Sequence, residues 1–197
     1  MLTTIKALSM WQPWASLVGT GAKRYETRSW STNYRGLLLI CSAKKKDLSS
    51  LRLLREESFQ LGLGRGCKFL QVMIGGEYYP DEPSIYCGDC DRGAEKHSPT
   101  ITARDLPYGE AIAIVDLVDV IPTGTMSRAE FGRYEVHYGD FHPGRFAWQL
   151  ENVKPFPPGV KIGGARGLFE VDTELLVIQL GSMPMALDLL HEAVSRL

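Results

Sequence analysis

The sequence predicts an α+β fold, a small mixed β-barrel with helices at its openings, carrying an insertion and a C-terminal helix. Three observations predict it. At 197 residues the chain has the length of one domain with an addition, and it can bury roughly 70% of its unfolded surface without a disulfide or metal. Strand and helix signals follow in the order strand, helix, strand, strand, helix, insertion, strand, helix, strand, strand. Between residues 61 and 108 the periodicity stops, and seven glycines and four prolines replace it. The domain is therefore expected over 1–180, interrupted at about 61–108, with 181–197 packing on it as a helix.

Taken in order, "TIKALSM" reads as the first strand. Pro13 suits the first turn of a helix, where its missing N–H costs nothing, and Trp14, Leu17 and Val18 then share one helical face. Gly19 and Gly21 supply the backbone freedom for its end. "YETRSW" alternates, with Glu26, Arg28 and Trp30 on one face and Tyr25, Thr27 and Ser29 on the other. After the turn Tyr34–Gly36, "LLLICSA" is a continuous apolar run typical of a fully buried strand. Residues 47–60 pattern as an amphipathic helix with Asp47 as N-cap. "GEAIAIVDLVDVI" is a strong strand, "MSRAEFGRYEVHYG" a helix with a weak point at Gly132, and "GRFAWQLENV" a strand with Phe146, Trp148 and Leu150 on one face. "GARGLFEVD" is the last strand, and Met185, Leu189, Leu190 and Val194 give the tail an apolar stripe.

The net charge of −1 hides an asymmetry. The first sixty residues hold ten Lys/Arg against four Asp/Glu, and the remainder twelve against nineteen. That excess of cations suggests an anionic partner for the N-terminal part. No run approaches the ~18 apolar residues of a membrane helix, the N-terminus lacks a signal-peptide pattern, and the four unevenly spaced cysteines do not form a secreted framework. A cytoplasmic location is expected. In the insertion, Cys87-x-x-Cys90 with Cys67 before and His97 after has the composition of a structural zinc site, with unpaired loop thiols or a redox pair as the alternatives its irregular spacing leaves open. Such a zinc would staple the insertion; the chain requires no cofactor.

"LSMWQPWASLVGTGAKRYETRSW", "YRGLLLICSAK", "GRFAWQLENVKPF" and "GARGLFEV" resemble the successive blocks of the ASCH (activating-signal-cointegrator homology) domain, a branch of the PUA-like superfamily. The resemblance covers roughly residues 5–45 and 109–172. It implies a PUA-like barrel of five or six strands with a cleft between barrel and helices, and RNA, DNA or modified nucleosides as partners. It also implies a hydrolytic alternative. Some members resemble ribonucleases, and one bacterial branch opens the amide of acetylcytidine with a Lys, a Thr and a Glu. Matched to this chain, the lysine is Lys23 and the glutamate Glu130, with Glu135 a second choice, while the threonine position is held by Glu26.

The candidate catalytic set is therefore Lys23, Glu26 and Glu130. Glu26 and Arg28 lie two apart on one strand face, and an ion pair between them would either fix the fold or keep a carboxylate from repelling phosphate. Trp11, outside the helical stripe, is the better stacking face for a base; Trp14, Trp30 and Trp148 read as core. Gln12, Arg28, Ser29, Tyr34, Arg35, Ser42, Lys44 and Arg145 complete the expected binding surface for RNA or a nucleotide, most of them at strand ends. Trp11, Lys23, Glu26 and Arg28 are expected to line one concave cleft.

Overall fold

A computed structural model describes residues 4–64, 101–127, 131, 134–156 and 159–180. The four proposed zinc ligands, Glu130 and the terminal segment 181–197 lie outside the described residues. Six strands form one mixed sheet: β1 (Thr4–Met10), β2 (Tyr25–Arg28), β3 (Gly36–Ser42), β4 (Ala111–Pro122), β5 (Phe146–Pro155) and β6 (Leu168–Asp172). Their order is β2-β5-β4-β3-β1-β6, with β1 parallel to β3 and every other neighbour antiparallel. Among the described residues no helix is long and apolar enough to cross a membrane.

The α+β class holds, but the sheet is not closed into a barrel. β1 is paired on one side with β3 and on the other with β6, so no edge of β1 remains for β2. The register between β4 and β5 shifts at Ile114/Asp116 and Leu117/Asp119, and such bulges curl a sheet. The curl brings β2 back to β1 across three intervening strands, where Arg28 Nη2 donates to Ser9 O at 3.2 Å. A side chain, not a backbone ladder, spans the seam.

The apolar run of β3 is explained by burial on both faces. Leu37, Leu39 and Cys41 join Ile5, Ala7, Phe156 and the helix α4 (Thr173–Leu180) on one side. Leu38 and Ile40 join Leu8, Met10, Val18 and Trp148 inside the curl. Trp148 is fully buried, edge-on to Trp30 with ring centroids 4.6 Å apart.

The third cluster lies outside the curl, where Leu17 of α1 (Trp14–Gly19) meets Leu54, Phe59, Leu63 and Tyr138. The helix expected over 47–60 begins as drawn, with the Asp47 carboxylate accepting from Ser49 N and Ser50 N. It is then divided into α2 (Leu48–Leu51), a 3₁₀ turn (Arg52–Arg55) and α3 (Glu57–Gly64), because Glu56 is extended. Leu54 and Phe59 would face apart on an unbroken helix, whereas the break lets both pack with Leu17, Leu63 and Tyr138. The segment "YEVHYG" forms a 3₁₀ turn at Glu135–His137 in place of the expected helical continuation. The exit of the insertion is tied to α3 by Gln60, which donates to Ile101 O at 2.8 Å and accepts from Ile101 N at 2.9 Å.

Two outcomes follow from this packing. A methyl at Gly62 would come within 2.5 Å of Tyr138 Oη and 2.7 Å of Leu17 Cδ2. Gly62→Ala should lower stability in urea unfolding by roughly 1–3 kcal/mol, the range for overpacking. Burial pushes the Cys41 thiol up to about 12, which keeps it protonated at pH 8. Peptide mapping after iodoacetamide at that pH should find Cys41 unmodified in the native protein and modified once urea is added.

Candidate functional site

A cavity of about 450 Å³ opens at the seam of the curled sheet. Met10, Trp11 and Trp14 wall it from the β1–α1 junction, Glu26, Thr27 and Arg28 from β2, and His137 to Asp140 with Arg145 from the facing loop. Trp11 is 41% exposed, an unusual state for an indole beside a core. Trp14 packs partly against the core clusters and also lines the cavity.

Beneath the wall lies a buried charge. Lys23, only 1% exposed, donates to Tyr25 O at 2.7 Å and Tyr138 O at 2.6 Å and sits 3.3 Å from Glu26 Oε2. Two carbonyls and the Glu26 carboxylate enclose the ammonium, and its burial keeps it from meeting a phosphate in the cavity directly. Glu26 shares its second oxygen with Arg28, Oε1 to Nε at 2.9 Å. Glu135, also buried, caps the entry to β2 by accepting from Arg24 N at 3.0 Å and Tyr25 N at 2.9 Å.

The opposite wall repeats the arrangement with exposed groups. Arg145 lies 3.3 Å from Asp140 Oδ2 and donates to Thr27 O at 3.3 Å. Asp140 N donates to Thr27 Oγ1 at 3.0 Å, and His142 Nδ1 lies 2.6 Å from Asp140 Oδ1. The His142 ring, then its backbone N–H and the Arg145 charge, hold the Asp140 carboxyl below its ordinary value. Arg28 Nε and Arg145 Nε face their carboxylates off the hydrogen-bond angle. Neither Nη1 has a hydrogen-bond partner among the described residues. Two guanidinium groups thus retain donors for a ligand.

The structure brings Trp11, Glu26, Arg28 and Arg145 together around this cavity, with Lys23 behind Glu26. The other expected residues lie elsewhere. Gln12 is buried, donating to Pro107 O at 2.8 Å and accepting from Ser16 N at 3.1 Å. Ser42 is buried and bonded to Glu110, and Ser29 is exposed beyond the end of β2. Tyr34 and Arg35 line a second hollow beside Lys6 and Glu170, with Arg35 paired to Asp119 at 3.0 Å. Lys44 is exposed on the turn after β3. Among the described residues no group of three or more His, Cys, Asp or Glu side chains could hold a metal ion.

Met10, Trp14, Thr27 and the run His137 to Asp140 were not foreseen as cavity residues, and Trp14 had been expected in the core. Gly139 has a visible cause: a Cβ there would meet Phe141 Cε2 at 2.9 Å and Thr27 Cγ2 at 3.0 Å. The mixture of aromatics, acids and glycine in "YEVHYGDFH" was the available signal. The burial of Lys23 yields a stability prediction. Lys23→Met removes one of the two cations beside Glu26 and the ammonium hydrogen bonds to the Tyr25 and Tyr138 carbonyls, and it should cost about 3–5 kcal/mol in urea unfolding.

Comparison with known proteins accords with this architecture. The family model described as the ASCH domain matches residues 8–158, most of the chain. Activating signal cointegrator 1 of Homo sapiens is 56% identical over 39 residues, covering 20% of this chain and 7% of that protein. The Mus musculus protein of the same name matches to the same extent. The chain thus spans only a small part of the curated relatives it matches. With six strands in a mixed sheet consistent with the PUA-like ASCH fold, and a family match over most of its length, the chain belongs to the ASCH domain family.

Proposed function

We propose that the cavity binds RNA by its base and backbone, or a modified nucleoside by its base. The observation that carries this reading is the meeting of the exposed Trp11 indole with two arginines that keep unused donors, in a hollow of about 450 Å³. That volume lies within the usual range of ligand sites, ~300–1,000 Å³. An indole face stacks on any base, and guanidinium donors suit phosphate oxygens or base edges. ASCH domains are generally RNA-binding domains of PUA-like fold, which supports RNA as the ligand class.

A second reading, hydrolysis of the bound ligand, is favoured by one contact, the 3.3 Å approach of Lys23 to Glu26 at the cavity wall. Glu26 is the group that faces the hollow, so it would act as the acid or base, with Lys23 setting its charge environment. Position 26 carries a carboxylate where the amidohydrolase branch has its threonine.

The binding reading is tested by titrating a fluorescein-labelled RNA oligonucleotide and free cytidine nucleotides against the wild type and Trp11→Ala. Loss of the indole should weaken binding by roughly 1–3 kcal/mol, with the unfolding midpoint unchanged. Equal affinity in both proteins overturns the role of Trp11. For the hydrolytic reading, chromatography of RNA and N4-acetylcytidine incubations should show turnover by the wild type that Glu26→Gln abolishes. Lys23 variants do not serve here, because they remove a buried structural charge.

A further inference from the structure

We infer that the cavity continues onto the turn Lys44–Lys46 as a track for single-stranded nucleic acid, with Trp11 holding a base and the lysines the neighbouring phosphates. This rests on the proposed binding role of the cavity and adds that the ligand is a polymer. The topology puts the two features side by side. β1 and β3 run parallel with Met10 opposite Ser42, and Ala43 N donates to Met10 O at 2.7 Å. The chain leaving β3 therefore starts one strand spacing, about 4.8 Å, from the segment that carries Trp11.

The turn is buttressed. Gly109 N donates to Ser42 O at 3.1 Å, and a Cβ at Gly109 would lie 3.3 Å from Lys44 Cβ. Gln12, beside Trp11, holds Pro107 O, and Lys46 Nζ stands 4.7 Å from the centre of the Tyr108 ring. The segment 107–109 thus fixes both Trp11's neighbour and the lysine turn.

The charge distribution separates a polymer from a lone nucleotide. In the cavity wall Glu26 is shared by Lys23 and Arg28, and Asp140 faces Arg145, so three cations against two carboxylates leave one positive charge for a phosphate dianion. Lys6, Arg35 and Lys161 are likewise paired. Lys44, Lys45 and Lys46 are exposed, and none forms an ion pair among the described residues. Among the described residues Arg52, Arg55, Arg104 and Arg166 are also exposed without an ion pair. Only Lys44–Lys46 puts three such cations in a row beside the strand end that carries Trp11, more than the phosphate of one nucleotide engages. Such a site reads the phosphodiester backbone and stacks bases, so RNA and DNA single strands share the chemistry.

The test compares twelve-residue poly-U RNA, poly-dT DNA and uridine monophosphate by fluorescence anisotropy and competition from 50 to 200 mM salt. The proteins are the wild type and the triple variant Lys44→Ala/Lys45→Ala/Lys46→Ala. The wild type should bind at least one of the two twelve-mers at least tenfold more tightly than the monophosphate. The triple variant should flatten the log–log salt slope by about two, given ~0.7 per phosphate neutralised on a single strand. An oligomer bound no tighter than the monophosphate, or an unchanged slope, overturns the track while monophosphate binding leaves the cavity's role standing. If neither ligand binds, the cavity's role falls with it. Displacement by poly-glutamate as effective as by poly-U at equal charge also overturns the proposal, since the lysines would then be a surface for acidic protein segments.

Discussion

Two buried charges of opposite sign hold the candidate site together, and each is satisfied by the backbone of the other's element. Lys23, on the approach to β2, reaches the carbonyl of Tyr138 in the facing turn. Glu135, at the start of that turn, reaches back to the amides of Arg24 and Tyr25. A buried ion is tolerable only when its hydrogen-bonding capacity is filled, so the two walls can take one relative position. The cavity between them inherits that definition. Without the clasp, the four residues of β2 would rely on their ladder to β5 and on the partly exposed contacts of Thr27 and Arg28.

The clasp also organises the groups that face solvent. Glu26 stands between Lys23 and Arg28, one oxygen toward each, so charges alternate outward from the core to the cavity. Each step is less buried than the one before, and the outermost group, Arg28, keeps donors while its carbon stem spans the seam to Ser9. On the other wall Thr27, Asp140 and Arg145 form an independent chain of contacts. A polar ligand thus meets arginines whose positions are set by partners behind them, which reduces the ordering cost of binding.

The strands were legible because their signals are local. β1 appears in the sequence as "TIKALSM", and the unbroken apolar run of β3 announced its two buried faces. The pairing of Glu26 with Arg28 followed from the period of two along a strand. What could not be read depends on partners distant in the chain. Lys23 looked like a free cation because its acceptors are main-chain carbonyls, one of them 115 residues away, and carbonyls carry no residue signature. Gln12 and Ser42 looked like rim residues, yet the loop before β4 folds over them and takes their hydrogen bonds. Tyr34 and Arg35 were sorted by nearness to a strand end, and that end lies by the second hollow. Closure of the sheet turned on whether β6 would claim the far side of β1, a choice between long-range partners to which alternation is blind.

Leaving the ring unzipped has a consequence for behaviour in solution. An open sheet exposes two outer rims of main-chain groups that a foreign strand could copy, the usual start of edge-to-edge aggregation. Here those rims belong to the shortest strands, four residues in β2 and five in β6. A charged pair, Lys6 with Glu170, crosses the β6 side. Brevity and charge together give a would-be intruder too few rungs to hold, so the domain can forgo closure and still resist self-templating.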